Sequence, residues 1–240
     1  MRKLLILFLI LIPSLIYGGV YFDGVDDVVT ITDNASLQVD YITISVWTKV
    51  PNIGQGSNKG IIAKRIGGVS VWYVFVNVDN KFGVQMVNEA GEYSVQLNSV
   101  DAIVINTWYH LAITYDGTTI KMYVNGVADN TQAFSGALKK TAANLTIGQQ
   151  YAQGYNLKGT ISDVRIYNRA LTQSEIKSAM SRCDFADIYT KGIWRFNDNI
   201  GYDGKKTFDL SGNNNTGTHT GTSNGNSNPP ILMQPIYAGD

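Results

Sequence analysis

Apolar and polar side chains alternate along much of this chain with the period of two that a half-buried β-strand requires. The clearest case is residues 42–49, where Ile42, Ile44 and Val46 fall on one face and Thr43, Ser45 and Lys49 on the other. The same period, less strictly kept, marks 69–78, 81–87, 93–98, 108–115, 119–124, 144–147 and 160–167. Asp116-Gly117 and Asn125-Gly126 tolerate positive φ, so the stretch from Trp108 to Val127 and beyond reads as a three-stranded meander. Asp79-Asn80 is a weaker hairpin signal of the same kind. Many short antiparallel strands at this spacing predict an all-β chain, built as a two-sheet antiparallel β-sandwich or jelly roll.

Two segments depart from that period. In residues 171–180, Thr172 stands three before Glu175, a capping-box spacing, and Ile176, Ala179 and Met180 recur at helical intervals. This predicts one short surface helix laid against the sandwich. Residues 192–196 then read as a further strand, while 212–228 is dominated by Gly, Asn, Ser and Thr, and Pro229, Pro230 and Pro235 crowd the C-terminus. Residues 221–240 are accordingly expected to form a flexible tail. At the other end, Met1-Arg2-Lys3 precedes an unbroken apolar run from Leu4 to Ile12, then Pro13, Ser14 and the small residue Gly18. That order is the order of a secretory signal peptide over residues 1–18, and the run is too short to span a bilayer. The domain itself is expected over 19–220.

Composition narrows the chemistry. The 240 residues carry 19 Lys plus Arg against 19 Asp plus Glu, so no global positive field exists to gather nucleic acid or anionic lipid. Cleavage after Gly18 would remove Arg2 and Lys3 and leave a slightly acidic, exported chain with no membrane association. With 2 His and 1 Cys, zinc sites, cysteine clusters and disulfide scaffolds lack the residues they need. Cys183 has no intrachain partner and reads as a buried thiol or an intermolecular one.

Three stretches together resemble the laminin G-like branch of the concanavalin A-like lectin/glucanase superfamily in its bacterial-type form. They are Tyr21-Phe22-Asp23-Gly24-Val25-Asp26-Asp27, then Asn106-Thr107-Trp108-Tyr109-His110-Leu111 continuing to Tyr123-Val124-Asn125-Gly126, and Gly159-Thr160-Ile161-Ser162-Asp163-Val164-Arg165-Ile166-Tyr167-Asn168-Arg169-Ala170-Leu171. The resemblance covers about residues 19–182 and implies a concanavalin A-like jelly roll of two antiparallel sheets of six or seven strands. One departure stands out. A Trp-x-Phe strand and an Asp-x-Ser-Gly-Asn loop usually precede the Phe-Asp-Gly motif in this family, but here Trp194-Arg195-Phe196 and Asp209-Leu210-Ser211-Gly212-Asn213 follow it. Either the last strand fills the place of the first, or these residues begin a truncated second repeat.

Three kinds of site suggest themselves. Asp23, Asp26 and Asp27 lie on a Gly-containing turn and offer the hard oxygens that calcium takes. The resemblance adds Asp163, because a carboxylate at this place in the closing strand ligates a structural calcium in some members. The alternative is that these aspartates cap their own backbone. For carbohydrate, the loop 148–156 combines amide and aromatic side chains in Gln149, Tyr151, Tyr155 and Asn156. Trp72 and Tyr73 point to opposite faces of one strand, so only one of them could line an exposed surface. Catalysis has the least support. The glucanases of the superfamily carry Glu-x-Asp-x-x-Glu on one strand, and no such string occurs. Glu89 and Glu92 are three apart, which places them on opposite faces of a strand, Glu175 sits on the predicted helix, and His110 reads as a packed mid-strand histidine.

The chain is therefore expected to be a secreted, non-enzymatic module that binds a glycan or another extracellular or cell-surface protein, with calcium as the one candidate cofactor. The alternative is a structural or adhesion protein that packs in an assembly without a soluble ligand.

Overall fold

The computed structural model describes residues 19–51, 56–66, 69–150, 154–181, 186–196 and 206–221. The signal-like segment, Tyr151, Cys183 and almost all of the expected tail lie outside them. Two antiparallel sheets face each other. The first holds β1 (Val20–Asp23), β3 (Ile42–Lys49), β8 (Trp108–Tyr115), β9 (Thr119–Val124), β10 (Val127–Ala133), β12 (Lys158–Tyr167) and β13 (Thr190–Trp194). The second holds β2 (Val28–Ile31), β4 (Lys59–Ile66), β5 (Val69–Val76), β6 (Phe82–Met86), β7 (Leu97–Asn98), β11 (Leu145–Ile147), β14 (Lys206–Thr207) and β15 (Gly217–Thr220). Their orders are β1-β12-β3-β8-β9-β10, with β13 also on β12, and β14-β15-β2-β11-β4-β5-β6-β7. This is a jelly-roll β-sandwich with one surface α-helix, α1 (Gln173–Met180).

The alternation of apolar residues sets which face each strand buries. Ile44, Val46, Leu111, Ile113, Met122 and Ile161 from the first sheet meet Trp72, Val74, Val84, Leu145 and Ile147 from the second in one continuous core. Each such side chain contributes about 1.5–3 kcal/mol when fully buried. The two-residue turn between β9 and β10 places Asn125 at φ 51 and Gly126 at φ 74, the positive values that Asn-Gly is suited to.

Strand β4 is absent from the sequence reading for a visible reason. Register shifts between Gly60 and Ile62 and between Lys64 and Arg65 break its alternation. Lys64 is also only 1% exposed. Its ammonium pairs with Asp33 and donates to the Ala143 carbonyl at 2.7 Å. Gln38 Nε2 donates to both Asp33 oxygens at 2.7 and 2.9 Å and to the Thr141 carbonyl at 2.7 Å, so this buried cluster ties three segments together, the β2–β3 connection, β4 and the loop before β11. Conversely, the strand expected over 93–98 is reduced to Leu97–Asn98. The polar stretch beginning at Gly212 contains strand β15, which pairs with β2 over its whole length.

One edge of β12 is divided between two partners. Val20 to Asp23 of β1 pair with Ile161 to Lys158, and Thr190 to Trp194 of β13 pair with Tyr167 to Val164. Trp194 and Phe196 thereby enter the core at 0% and 1% exposure. At the junction Asp163 takes φ 45, where the register of β12 with β3 also shifts. Its carboxylate receives the guanidinium of Arg165 through Nε and, at 3.2 Å, Nη2. Both side chains are buried to within 1%. The outer edge of β13 is closed by the loop before β15. Asp209 accepts from Ile193 N at 3.0 Å, Ser211 N at 2.9 Å, Ser211 Oγ at 2.8 Å and Asn215 N at 3.0 Å. Asn213 and Asn215 donate to the carbonyls of Thr190 and Lys191 at 2.9 and 2.7 Å.

Helix α1 covers the outer face of the first sheet, where Ile176 and Leu171 pack on Ala112, Tyr123 and Tyr167. The capping box is formed in full, Thr172 accepting from Glu175 N and the Glu175 carboxylate accepting from Thr172 N. Arg169 adds two further bonds to that carboxylate, at 2.7 and 2.9 Å. These bonds from Arg169, with those from Thr172, hold the Glu175 pKa at about 2 against the opposing effect of burial.

Two predictions follow from these contacts. Asp163→Asn keeps a residue that tolerates the left-handed backbone but removes the carboxylate counter-charge of the buried Arg165. Urea denaturation should show a loss of about 3–5 kcal/mol, whereas a loss below about 1 kcal/mol would mean that the pair contributes little to folding. Because the Glu175 pKa is lowered from 4.5 in folded protein, its charge stabilises fully above pH 4.5 and ceases to do so as pH falls through about 2. Wild type should therefore exceed Glu175→Gln in stability at pH 6, and the gap should close by about pH 2.

Candidate functional site

The turn from β1 to β2 gathers the three acidic residues of the Phe-Asp-Gly motif. Gly24 sits at φ +86, and a Cβ there would meet the Lys158 Cβ at 2.9 Å, so the turn needs glycine. Asp23 Oδ1 accepts from Val25 N at 2.8 Å, and Asp27 Oδ2 accepts from Asp23 N at 2.9 Å. One carboxylate oxygen from each of Asp23, Asp26 and Asp27 lies within 4.8 Å of the others. Oxygens bound at about 2.3–2.6 Å to one calcium lie no more than about 5 Å apart, so this donor set fits a hard cation. The end of β15 runs beside the turn, where a Cβ on Gly221 would strike Asp27 Oδ1 at 2.0 Å. His219 meets Phe22 edge-on at 6.3 Å, and burial holds its imidazole below the usual pKa despite the opposing pull of Asp27.

Asp163 does not join this group. The register pairs Asp23 with Lys158 and Val20 with Ile161, so Asp163 falls beyond the opposite end of β1, where Arg165 engages it. Arg195 Nε lies 4.0 Å from its other oxygen. The expected convergence of Asp23 and Asp163 on one cation is thus corrected: residue 163 is half of a buried ion pair.

The loop between β11 and β12 is also differently employed. Asn156 is 0% exposed and bridges both Gln149 and Gly60. Gln149 Nε2 donates to its Oδ1 at 3.3 Å, and the Tyr155 carbonyl accepts from Gly60 N at 3.0 Å. Asn156 therefore cannot meet a ligand at the surface and instead locks the loop onto β4. Gln149 and Tyr155 are half-buried, Tyr151 lies outside the described residues, and Lys59 Nζ holds the Gly154 carbonyl at 2.7 Å.

Trp72 faces the core while Tyr73 faces outward, bonding Gln85 at 2.5 Å with the Arg65 guanidinium 5.3 Å from its ring. His110 is fully buried, with Nε2 2.8 Å from Ser45 Oγ and its ring 5.4 Å from that of Trp47. Helix α1 closes over this pair, since Trp47 Nε1 donates to the Met180 carbonyl at 3.2 Å. Glu92 is bonded to Asn88 at 2.7 Å. Sequence reasoning overlooked a polar group beside α1, in which Arg169 joins Glu175 and approaches Asp187 at 3.8 Å. A signal for it existed in the opposed charges of Arg169 and Glu175 on either side of the capping residue Thr172.

Among curated proteins, the chain is 25% identical to mouse (Mus musculus) usherin over 155 residues, covering 62% of this chain and 3% of usherin. It is 27% identical to human (Homo sapiens) pappalysin-1 over 185 residues, covering 70% of this chain and 11% of that protein. It thus spans a small fraction of either relative. Among solved structures, a putative carbohydrate binding protein from Bacteroides ovatus superposes with a TM-score of 0.71 at 17% identity, over 86% of this chain and 58% of that one. CBM40 of the Ruminococcus gnavus IT-sialidase does so with a TM-score of 0.53 at 16% identity, over 67% of this chain and 95% of that one. At such identities these likenesses show the fold. A laminin G family model, described as concanavalin A-like lectin/glucanases superfamily, matches residues 23–177. Motif, topology and family model agree, and the chain belongs to the laminin G branch of the concanavalin A-like lectin/glucanase superfamily.

Proposed function

We propose that this chain is an exported, non-catalytic binding module that recognises carbohydrate, with a structural calcium at Asp23, Asp26 and Asp27. The observation that carries the reading is the employment of the carboxylates. Asp33 is tied to Lys64 and Gln38, Asp163 to Arg165, Glu175 to Arg169, and Asp209 to three donors of its own loop and to Ile193 N of β13. Asp116 accepts from Thr118 N, Thr118 Oγ1 and Thr119 N at 2.9, 2.7 and 2.8 Å. Glycoside hydrolysis needs two carboxyls about 5–9.5 Å apart and turned toward one bond, and groups already held as structural acceptors are poorly placed for it. Binding asks only for a rigid scaffold with polar groups at its surface, which the sandwich supplies.

Likeness to a putative carbohydrate binding protein, and to a CBM40 domain that has also been solved bound to alpha2,3 sialyllactose, supports a glycan as the ligand. Export is supported by the signal-like pattern of residues 1–18. No helix among the described residues is long and apolar enough to cross a membrane.

Affinity electrophoresis against soluble polysaccharides, with a glycan array beside it, should show retention by at least one glycan and no release of reducing sugar. Uniform silence would favour a role in assembly, and measurable hydrolysis would overturn the non-catalytic reading. For the cation, extracellular calcium modules bind at about 10⁻⁴–10⁻³ M, so about 1 mM calcium should add about 0.4–1.4 kcal/mol, roughly one to a few degrees in melting temperature. Asp26→Asn should remove that increment. A shift of equal size in wild type and variant, or none in wild type, would leave the three aspartates as turn formers.

A further inference from the structure

Beside α1, on the outer face of the first sheet, lies a cavity of about 230 Å³. Tyr167 and Leu171 form its floor, both nearly buried. Ser174 and Ser178, one helical turn apart and so on the same face of α1, form one wall. Asp187 stands on the other side. Its Oδ1 accepts from Tyr189 N at 3.0 Å and from Thr190 Oγ1 at 2.7 Å, which fixes the carboxylate, and its Oδ2 faces Arg169 at 3.8 Å. Arg169 stretches between the two sides, bonded to Glu175, with its guanidinium 5.0 Å from the Tyr189 ring. Its Nε is buried and meets no partner among the described residues.

The chemistry of this lining restricts what could enter. Glu175, ionised far below neutral pH, and Asp187 only accept hydrogen bonds, the guanidinium edge only donates, and the serine hydroxyls, with Ser178 Oγ donating to the Ser174 carbonyl at 3.2 Å and Ser174 Oγ 3.1 Å from Thr172 Oγ1, turn acceptor lone pairs to the cavity. An anion would face two carboxylates, and an apolar molecule would leave charged groups unpaired. Adjacent hydroxyls on one ring, each able to donate and accept, meet all of these demands at once. The cavity falls below the roughly 300–1,000 Å³ of pockets for drug-sized ligands and is of the scale of one sugar ring.

We infer that this cavity is a subsite for a single uncharged sugar residue, held through vicinal hydroxyls by Asp187, Arg169 and the serines of α1. The inference rests on the carbohydrate-binding reading and gives it a location that neither the acidic turn nor the β11–β12 loop supplies.

Saturation-transfer NMR with methyl glycosides of glucose, galactose, mannose, fucose and N-acetylglucosamine tests it on the full chain. At least one glycoside should receive saturation. Ser178→Tyr, made on an exposed helical position, should fill the cavity, and Asp187→Asn should remove an acceptor while keeping its shape. Each should weaken binding about tenfold or more, with the melting temperature of Ser178→Tyr unchanged. A glycoside bound equally by wild type and both variants would place sugar recognition elsewhere and overturn the subsite alone. Polysaccharide retention without any glycoside signal, or retention unaffected by Ser178→Tyr, would do the same. Silence toward all glycosides and polysaccharides would overturn both the subsite and the carbohydrate reading.

Discussion

Strand β12 offers one edge to two partners, and the buried pair of Asp163 and Arg165 stands where they meet. This strand of 10 residues has partners of 4 and 5 end to end along one edge, and its own pleat is interrupted between them. Asp163 absorbs that interruption with a left-handed backbone, and Arg165 neutralises the charge that comes with it. The strand that carries Trp194 and Phe196 into the core, and the loop that seals it, lie directly beyond this joint. A buried ion pair is seldom a large net source of stability, yet removing one partner is costly. Here it stands at the point where the registers of β1 and β13 on β12 meet.

Much of the architecture was legible because local and global preferences agree. Ile42, Ile44 and Val46 alternate in a strand that has one face on the core, and Asn125-Gly126 supplies the backbone that its hairpin needs. Thr172 and Glu175 announced α1 through bonds that span only three residues. What stayed hidden depends on distant partners. Lys64 reads as a solvent-facing charge until Asp33 and the Ala143 carbonyl are brought to it, and β15 reads as a polar tail until β2 lies alongside. The site was less legible than the fold for the same reason. Asp23, Asp26 and Asp27 converge through one short turn, whereas the fate of Asp163 was decided by a guanidinium two residues away but on a bulged strand. Asn156 had a surface-like composition around it and a buried destination.

The sequence carries 16 Asp against 3 Glu, and this preference acquires a physical meaning here. A carboxylate on one methylene reaches its own following backbone, as Asp23, Asp116, Asp187 and Asp209 all do. Such groups fix turns at the rims of the sheets through their own following residues, and Asp209 also ties its turn to β13. The chain thus obtains rigid loops without disulfides, and its acidic residues are in large part architecture.

The pairing order also sets a timetable. Strand β1 finds its partner in β12, strand β2 lies between β11 and β15, and Asn215 Nδ2 donates to Ser36 Oγ across 179 residues of sequence. At translation rates of about 5–20 residues per second, roughly 10–40 s separate the emergence of those two residues. For much of that interval, until β11 and β12 emerge, the first two strands have exposed ladders and apolar faces but nothing to close upon, and β2 gains its second partner only with β15. Closure of both sheets by β13 and β15 therefore waits for the far end of the chain, and any factor that guards nascent strands matters most for the first synthesised part of the domain.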